Sequence, residues 1–456
     1  MRYLSTRGHP DRPSFEDVLL GGLAPDGGLY LPVSWPRLHF AGNQKYIDLV
    51  AAGLTPFVTP DHLESDLKSL AESAYAGFRH EAVAPVQEIG EDRFLLELFW
   101  GPTLSFKDYA LAMVGRMFDR VLSRTDRRLM VLGATSGDTG SAAISACRGR
   151  EHLDVVILYP AGRVSDVQRR QMTTVTDANV AAVAVEGTFD DCQALVKQAF
   201  NDRGHGLPLG AVNSINWARV IAQAAYYLWA AAKTGADRVS FAVPTGNFGN
   251  AFAGWVAKRA GGPIGRLLIA NNANHGLFDL IEKGVLRIEP VVATHSPAMD
   301  IQIPSNLERY LYELTGGDPR EVRRFQETLR RERRMELPTE LRERVGEDFA
   351  AGWVDDDAVV RSIATAYREH GVVLDPHTAV AWEVGNALRR EGEVVVTIAT
   401  AHPAKFPDLV REAVGIEPEL PADLADIHHR PERITTIPND YAALVRVLVG
   451  MSERVR

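Results

Sequence analysis

The chain has 456 residues, of which 46% are hydrophobic and 24% are charged, so its composition excludes a largely disordered protein. Fifty Lys and Arg residues against 59 Asp and Glu residues give a formal net charge of −9, without the basic excess of nucleic-acid or anionic-membrane binders. Cys147 and Cys192 are too few for a disulfide framework or a multi-thiolate metal site. The longest apolar stretch, 221–232, is shorter than a bilayer span, and the N-terminus lacks a secretory signal. We therefore expect a cytoplasmic protein without nucleic-acid or membrane partners.

The predicted elements divide the chain into three parts. Residues 1–85 are rich in Pro and Gly and predict a small N-terminal subdomain. From 93 to 415, short aliphatic runs alternate with helical patterns, which indicates mostly parallel sheets covered on both faces. This central region predicts two α/β domains, at approximately 100–220 and 221–415, and 416–456 predicts a C-terminal extension ending in a short helix. Strands are predicted at 129–132, 155–158, 180–185, 239–243, 267–269 and 394–398, and a long helix at 217–233.

The segment 316–350 carries many arginines that alternate with glutamates. An RNA-binding surface is one interpretation of the arginines. The alternating charge signs favour a solvated pair of helices, because oppositely charged residues three or four positions apart attract each other on a helix surface.

Two glycine-rich loops, each between a predicted strand and a predicted helix, are candidate anion sites. The first lies in LMVLGATSGDTGSAA, which starts at Leu129, and the second in VSFAVPTGNFGNAFA, which starts at Val239. Glycine lets backbone N–H groups approach a ligand, and the N-terminus of the following helix attracts negative charge. Such turns are also common for conformational reasons alone, and neither loop has the P-loop or GxGxxG spacing. Two in one chain favour a site between two domains that binds two anionic groups.

A lysine stands in an apolar segment ahead of the first loop. Lys107 lies in GPTLSFKDYALA, which starts at Gly101, at the beginning of a predicted helix. Most lysines occupy solvated surfaces, whereas burial lowers the pKa of a lysine and makes its amine a nucleophile or a Schiff-base former. A surface ion pair between Lys107 and Asp108 is an equally good interpretation of this segment taken alone.

Seven segments, in the same order, resemble one family of enzymes along almost the full chain. SFKD at 105–108 and the two loops resemble the fold-type-II pyridoxal-phosphate-dependent enzymes, and the chain as a whole resembles the long-chain threonine synthase family. The similar segments are SFKDYALA, GATSGDTGSAA, EGTFDDCQ, NSINWARV, PTGNFGNAFAG, AMDIQIPSNLERY and TAHPAKFPD. The resemblance implies an α/β fold with two doubly wound domains around pyridoxal 5'-phosphate, preceded by a small N-terminal subdomain.

The resemblance also implies roles for individual residues. Lys107 matches the lysine that binds the cofactor as a Schiff base and transfers protons. Thr400 matches the hydroxyl that faces the pyridine nitrogen, and Asp138 is expected near the phenolic oxygen. The loop expected to bind the cofactor phosphate consists of Gly246, Asn247, Phe248, Gly249 and Asn250. The loop expected to bind the substrate carboxylate consists of Ser136, Gly137, Asp138 and Thr139.

The activity implied by the resemblance is the conversion of O-phospho-L-homoserine and water to L-threonine and phosphate, by β,γ-elimination and hydration at Cβ. Two alternatives stay open at this point. A phospholyase or dehydratase acting on a related amino acid would share the lysine and the phosphate loop. A non-catalytic relative that binds a small ligand or a partner protein is the alternative from a different class, and the intact SFKD and GNFGN segments argue against it.

The histidines are weaker candidates for chemistry. His377 and His402 are possible acid–base groups, but a structural role is the better interpretation because Lys107 already supplies an amine. His275 and His295 have no carboxylate at metal-ligand spacing, so no metal site is expected. The sequence does not indicate an oligomeric state.

Overall fold

The structure, a computed structural model, describes residues 1–38, 44–135, 137–202 and 204–454. Ser136, one of the predicted substrate-binding residues, lies outside the described residues.

The N-terminal region combines a two-stranded sheet with three helices. A capping box between Ser14 and Asp17 starts the first helix, because each residue accepts a hydrogen bond from the other's backbone N–H. The two strands pair antiparallel, with Tyr3 opposite Pro32. The elements are β1 (Tyr3–Ser5), α1 (Phe15–Gly21), β2 (Tyr30–Pro32), α2 (Tyr46–Val58) and α3 (Leu67–Tyr75).

The next part of the chain alternates strands and helices, as its hydrophobic pattern predicts. It contains β3 (Val86–Gly90), β4 (Arg93–Glu97), α4 (Lys107–Arg124), β5 (Leu129–Ala134), α5 (Asp138–Cys147), β6 (Leu153–Pro160), α6 (Asp166–Thr173), β7 (Val180–Glu186), α7 (Phe189–Asn201) and β8 (Leu209–Gly210).

The remainder of the chain continues the alternation and adds a helical insertion. It contains α8 (Trp217–Thr234), β9 (Val239–Pro244), α9 (Gly249–Arg259), β10 (Ile264–Asn271), α10 (Gly276–Lys283), β11 (Val285–Arg287), α11 (Leu307–Leu314), α12 (Pro319–Glu332), β12 (Arg334–Glu336), α13 (Thr339–Asp348), β13 (Phe349–Trp353), α14 (Asp356–His370), α15 (Pro376–Leu388), β14 (Val395–Ala399), α16 (Pro407–Val414), β15 (Thr435–Pro438) and α17 (Tyr441–Arg454).

Two larger sheets form the framework of the fold. One has six strands in the order β13-β10-β9-β14-β4-β3, all parallel except for the antiparallel β3–β4 pair. The other has five parallel strands in the order β15-β7-β6-β5-β8. Strands β6 and β9 are buried along their whole length, as expected for parallel strands covered by helices. The predicted α/β fold class is thereby confirmed.

The division of the chain into 1–85, 93–415 and 416–456 stays a prediction, and the two larger sheets cross it. The six-stranded sheet takes β3 and β4 from ahead of residue 100 and its other strands from beyond residue 238. The five-stranded sheet takes β15 from the C-terminal extension, where Thr435–Pro438 pairs with β7. All six predicted strands are present, each within a few residues of its predicted bounds.

Helix α8 lies at the centre of the molecule. Every residue from Trp217 to Ala231 is buried, and the helix packs against α2, α4 and α9. Its apolar character therefore reflects burial in protein on all sides. Among the described residues, the structure has no helix with the length and apolarity that a membrane crossing requires.

The arginine-rich segment forms the predicted helix pair, α12 and α13. Ion pairs on its surface include Arg320 with Asp318, over 2.8 Å, and Arg324 with Glu321, over 2.5 Å. Both arginines are more than half exposed, so these contacts belong to a solvated surface where a pair contributes about 0–1 kcal/mol.

Candidate active site

The predicted site residues converge at one edge of the six-stranded sheet. The GNFGN loop follows β9 and Thr400 follows β14, and the two strands are parallel neighbours. Their carboxyl ends therefore lie side by side, where open α/β sheets bind ligands. The segment ahead of Lys107 is tied to this edge, because the Phe106 N–H donates to the Thr400 carbonyl over 2.9 Å.

Lys107 is the first residue of α4 and is buried, with 11% of its side chain exposed. Its Nζ lies 3.2 Å from Oδ2 of Asp138, the first residue of α5 in the five-stranded sheet domain. The contact joins the two sheet systems at the site. Burial lowers the pKa of Lys107, and the nearby positive charges of Lys405 and Arg219 lower it further, whereas Asp138 opposes them. The interpretation of Lys107 and Asp108 as a surface ion pair is wrong, because Asp108 is buried and accepts hydrogen bonds from Thr103.

A second lysine shares Asp138. Lys405 Nζ lies 2.5 Å from Asp138 Oδ1 and donates to the Thr103 carbonyl over 2.9 Å, and its side chain is fully buried. Gln168 Nε2 donates to the same Oδ1 over 2.8 Å. Burial alone would raise the pKa of Asp138, but the charges of Lys405 and Lys107 hold it well below its usual range. Lys107 has the freer amine of the two lysines, because Lys405 is held by two protein oxygens.

The sequence analysis did not identify Lys405, although a signal was present. Lys405 stands in Pro403-Ala-Lys-Phe-Pro407, an apolar setting like the one that drew attention to Lys107. The same reasoning about desolvated lysines would have found both residues.

The GNFGN loop enters α9 and has the features of an anion site. Asn250, in the first turn of α9, accepts hydrogen bonds at Oδ1 from the hydroxyls of Tyr226 and Tyr227, over 2.5 and 2.9 Å. Its Nδ2 is buried and has no hydrogen-bond partner among the residues that the structure describes. A buried donor without a partner at a helix N-terminus fits a bound phosphate, which supplies both negative charge and acceptor oxygens.

The glycines of this loop are required by close packing. Neither Gly246 nor Gly249 has a positive φ, whereas Phe248 adopts the left-handed conformation, with φ 62°. A Cβ on Gly246 would lie 2.9 Å from the Ala298 carbonyl oxygen, and one on Gly249 would lie 3.1 Å from Asn306 Nδ2. Asn247 fixes the other side of the loop, because its Oδ1 accepts a hydrogen bond from Ser305 over 3.1 Å.

The loop ahead of α5 is closed partly on itself. The Thr135 hydroxyl oxygen accepts hydrogen bonds from the N–H groups of Gly137 and Gly140, both over 2.9 Å. Gly137 has φ 150°, and a Cβ there would lie 2.5 Å from the Gln168 side chain, so only glycine fits. The backbone N–H groups of Asp138 and Thr139, in the first turn of α5, have no acceptor among the described residues and are the donors expected for a substrate carboxylate. The role of this loop stays a prediction.

These residues fit pyridoxal phosphate. Lys107 offers a buried amine, Asn250 and the N-terminus of α9 offer donors for a phosphate, and the buried Ser105 Oγ is a further polar atom without a protein partner. Thr400 lies at the end of β14, and its hydroxyl has no hydrogen-bond partner within the described part of the chain. The arrangement presents one amine, one anion-binding helix end and hydroxyl groups around a common sheet edge.

Arg219 is a second functional candidate that the sequence analysis did not single out. It lies in the first turn of α8, is 4% exposed and donates from Nη1 to the Val212 carbonyl over 2.9 Å. Its Nε has no hydrogen-bond partner within the described ranges. Burial lowers its pKa to about 10. No carboxylate among the described residues pairs with it, and a buried guanidinium without a counter-ion is suited to an anionic ligand.

The two histidines near the site have structural contacts. His377 Nδ1 donates to Asp375 over 2.9 Å, and its Nε2 accepts a hydrogen bond from the Ala298 N–H over 3.2 Å. His402 Nδ1 accepts from the Ala404 N–H over 3.2 Å, and burial lowers the pKa of His402 to about 4. Both rings therefore hold backbone loops in place, which is the structural role expected from the sequence.

Three family models together match most of the chain. The model described as pyridoxal-phosphate dependent enzyme matches residues 80–401, the threonine synthase N terminus matches 2–75, and the threonine synthase C-terminal model matches 378–449. The predicted dependence on pyridoxal phosphate is thereby confirmed.

Individual relatives are similar to this chain over nearly its full length. A threonine synthase of Pseudomonas aeruginosa is 43% identical over 453 residues, covering 97% of each chain. The crystal structure of a pyridoxal-phosphate-bound threonine synthase from Brucella melitensis has a TM-score of 0.96 at 44% identity and covers 99% of both chains. The yeast threonine synthase structure has a TM-score of 0.94 at 36% identity, again with 99% coverage of both chains. The chain belongs to the threonine synthase family of pyridoxal-phosphate-dependent enzymes.

Proposed function

We propose that this chain converts O-phospho-L-homoserine and water to L-threonine and phosphate. The observation that carries the proposal is the buried Lys107 amine, which is close enough to the Arg219 guanidinium for that charge to lower its pKa. The N-terminus of α9, where Asn250 Nδ2 has no hydrogen-bond partner among the described residues, offers a second anion site. Two separate anion sites suit a phosphorylated cofactor together with a phosphorylated substrate.

Bound pyridoxal phosphate supplies an electron sink for the pair released at Cα and then at Cβ of the substrate. The chain supplies the proton transfers and the positioning. Lys107 Nζ takes the proton from Cα, and its lowered pKa favours the neutral amine that this step needs. Asp138, 3.2 Å away, orients that amine through its Oδ2. Removal of a proton from Cβ then allows the Cγ–O bond to break with loss of phosphate, and protonation at Cγ, addition of water at Cβ and return of a proton to Cα give threonine.

The two phosphates are assigned to different elements. We assign the cofactor phosphate to residues 246–250 and the N-terminus of α9, where Asn250 Nδ2 lacks a partner. We assign the substrate phosphate to Arg219, because its charge influences Lys107 and it has no carboxylate partner among the described residues. The α5 N-terminus, with Gly137, Asp138 and Thr139, and the neighbouring Ser136 are left for the substrate carboxylate.

Product analysis with four substrates tests the proposed activity. The holoenzyme is incubated with O-phosphohomoserine, homoserine, phosphoserine and phosphothreonine, and threonine, phosphate and oxo acids are quantified. We expect equal amounts of threonine and phosphate from O-phosphohomoserine, and a much lower kcat/KM for homoserine, which lacks both the charged group and the good leaving group. Faster turnover of either β-phosphorylated compound would replace this proposal with a phospholyase.

Arg219→Gln tests the assignment of the substrate phosphate. Loss of a charge-assisted contact of about 1.5–3 kcal/mol should lower kcat/KM for O-phosphohomoserine by roughly 10- to 100-fold, with cofactor affinity maintained. Arg120→Gln, on the exposed face of α4, is the matched control and should behave like the wild type. A fall in cofactor affinity instead would assign Arg219 to the cofactor phosphate.

A further inference from the structure

Asp138 is a carboxylate at a position where two lysines meet. Its Oδ2 faces Lys107 Nζ at 3.2 Å, and its Oδ1 faces Lys405 Nζ at 2.5 Å. The side chains of Asp138 and Lys405 are 5% and 0% exposed, so solvent does not screen this contact. The two lysines come from opposite ends of the catalytic region, 298 positions apart, and the fold brings them together on one carboxylate.

A single lysine beside Asp138 would create a conflict. Lys107 must lose its proton to act as a nucleophile or to accept a proton, and at that moment a buried carboxylate paired with Lys107 alone would lose its counter-ion. An isolated buried carboxylate is strongly unfavourable, so it would hold the proton on the lysine. A second, permanent cation removes this conflict, because the carboxylate stays compensated in both states of Lys107.

Lys405 is fixed beside Asp138 by a second contact. Besides Asp138, it donates to the Thr103 carbonyl over 2.9 Å, which keeps it aligned with Oδ1. Gln168 donates to the same oxygen over 2.8 Å and leaves Oδ2 directed at Lys107. We propose that Lys405 is a positioning residue that compensates and orients Asp138 so that Lys107 can release its proton.

Other charged groups face this cluster and act on it in known directions. Buried Asp108 in α4 attracts Lys405, and Arg219 in α8 adds positive charge near Lys107. His377 lies near Asp138 and His402 near Lys405, and each has a ring nitrogen that accepts a backbone hydrogen bond. None of these groups contacts Asp138 directly, so the shortest ion pair to that carboxylate is the one from Lys405.

The proposal is tested on the amine of Lys107 itself, without turnover. In the cofactor-free full-length chain, trace acetylation of each lysine is measured by peptide mass spectrometry from pH 6 to 11, with exposed Lys197 as an internal reference. Lys405→Met should raise the titration midpoint of Lys107 by about one pH unit or more, because it removes a neighbouring positive charge. Lys405→Arg, which keeps the charge, should leave the midpoint close to that of the wild type.

An unchanged Lys107 midpoint in Lys405→Met, or an equal shift in Lys405→Arg, would overturn the proposal. If Lys405→Met fails to fold, Asp138→Asn gives the second measurement, because loss of the carboxylate should lower the Lys107 midpoint below that of the wild type. A midpoint that stays or rises in that variant would also overturn the proposal. The inference rests on the proposed role of Lys107, but a shifted midpoint together with attachment of the cofactor elsewhere would refute only that role.

Discussion

The strand–loop–helix units that lead into α9 and α5 are similar in sequence, but they present different polar groups to the site. At the start of α9, Asn250 presents a buried amide donor without a protein partner. At the start of α5, Asp138 presents a carboxylate that two lysines and Gln168 already bind. Both helices attract negative charge to their N-termini. The α9 unit keeps that capacity for a ligand, and the α5 unit uses part of it for its own side chain.

The comparison shows that glycine spacing alone does not define what a loop binds. Glycine gives both loops their close packing, yet the strained backbone position is Gly137 in one and Phe248 in the other. The chemical difference lies in one side chain of the first helical turn, an amide or a carboxylate. We expect that residue to decide whether the loop receives a phosphate or organises lysines.

Lys107→Ala is expected to have the largest effect, because it removes the amine on which the proposed chemistry depends. Turnover of O-phosphohomoserine should fall by at least about 1,000-fold, the scale of a lost proton-transfer group. Asp138 keeps its ion pair with Lys405, so the urea midpoint of unfolding should change little. Lys107→Arg keeps the charge without the reactive amine and should be equally inactive; substantial activity in either variant would refute the role of Lys107.

Exchanging the amide and the carboxylate tests the comparison directly. Asn250→Asp places a negative charge against the cofactor phosphate and should weaken cofactor binding by at least about 100-fold, because like charges in a buried site repel strongly. Asp138→Asn should weaken it by less than about tenfold. Cofactor affinity is measured by titration of the cofactor-free chain, and equal losses in the two variants would show that both loops face the phosphate.

The loop after β14 contains a third polar group, His402, which differs from the amide of Asn250 and the carboxylate of Asp138 because its pKa makes the stability of the fold depend on pH. Burial lowers the pKa of His402 to about 4, below its unfolded value of about 6.5. Neutral His402 therefore stabilises the fold fully above pH 6.5, and about 2–3 kcal/mol is lost as the pH falls towards 4. His402→Asn keeps an acceptor for the Ala404 N–H and should remove this part of the pH dependence in urea unfolding, whereas exposed His295→Asn should not. The same pH dependence in His402→Asn would contradict the assignment.

A smaller effect is expected from the residues that orient Asn250. Tyr226→Phe removes a hydroxyl that donates to Asn250 Oδ1 over 2.5 Å, so the amide loses part of its orientation. Cofactor binding should weaken roughly fivefold, corresponding to about 1 kcal/mol for one hydrogen bond. Tyr159→Phe is the control, because it removes a buried hydroxyl that has no partner. Equal effects of the two changes would show that Tyr226 does not act through Asn250.

Much of the fold could be predicted from hydrophobic runs. The six predicted strands and α8 are buried elements whose apolar pattern is strong over several residues. Strand β15 was not predicted, because it is a short edge strand in which only Ile437 is buried. Its pairing with β7, about 250 positions earlier, is a tertiary contact that local sequence does not encode.

Candidate site residues can be predicted from the sequence where their immediate neighbours in the chain make them unusual. Lys107 and the GNFGN loop stand out by composition and by the family resemblance. Lys405 and Arg219 are functional candidates because both are buried, Lys405 with a counter-ion and Arg219 without a carboxylate partner among the described residues. Whether a buried cation has a counter-ion depends on residues distant in the sequence, such as Asp138. Such electrostatic relations become visible only when the folded chain brings the charges together.

The most direct test of this account is to identify the lysine that carries the cofactor. The holoenzyme is reduced with borohydride, digested and mapped by mass spectrometry. We predict that the cofactor is attached to Lys107, whose amine has one hydrogen-bond partner in the described part of the chain, Asp138. Attachment to Lys405, which shares that carboxylate, would contradict the assignment of both lysines and with it the proposed division of roles at this site.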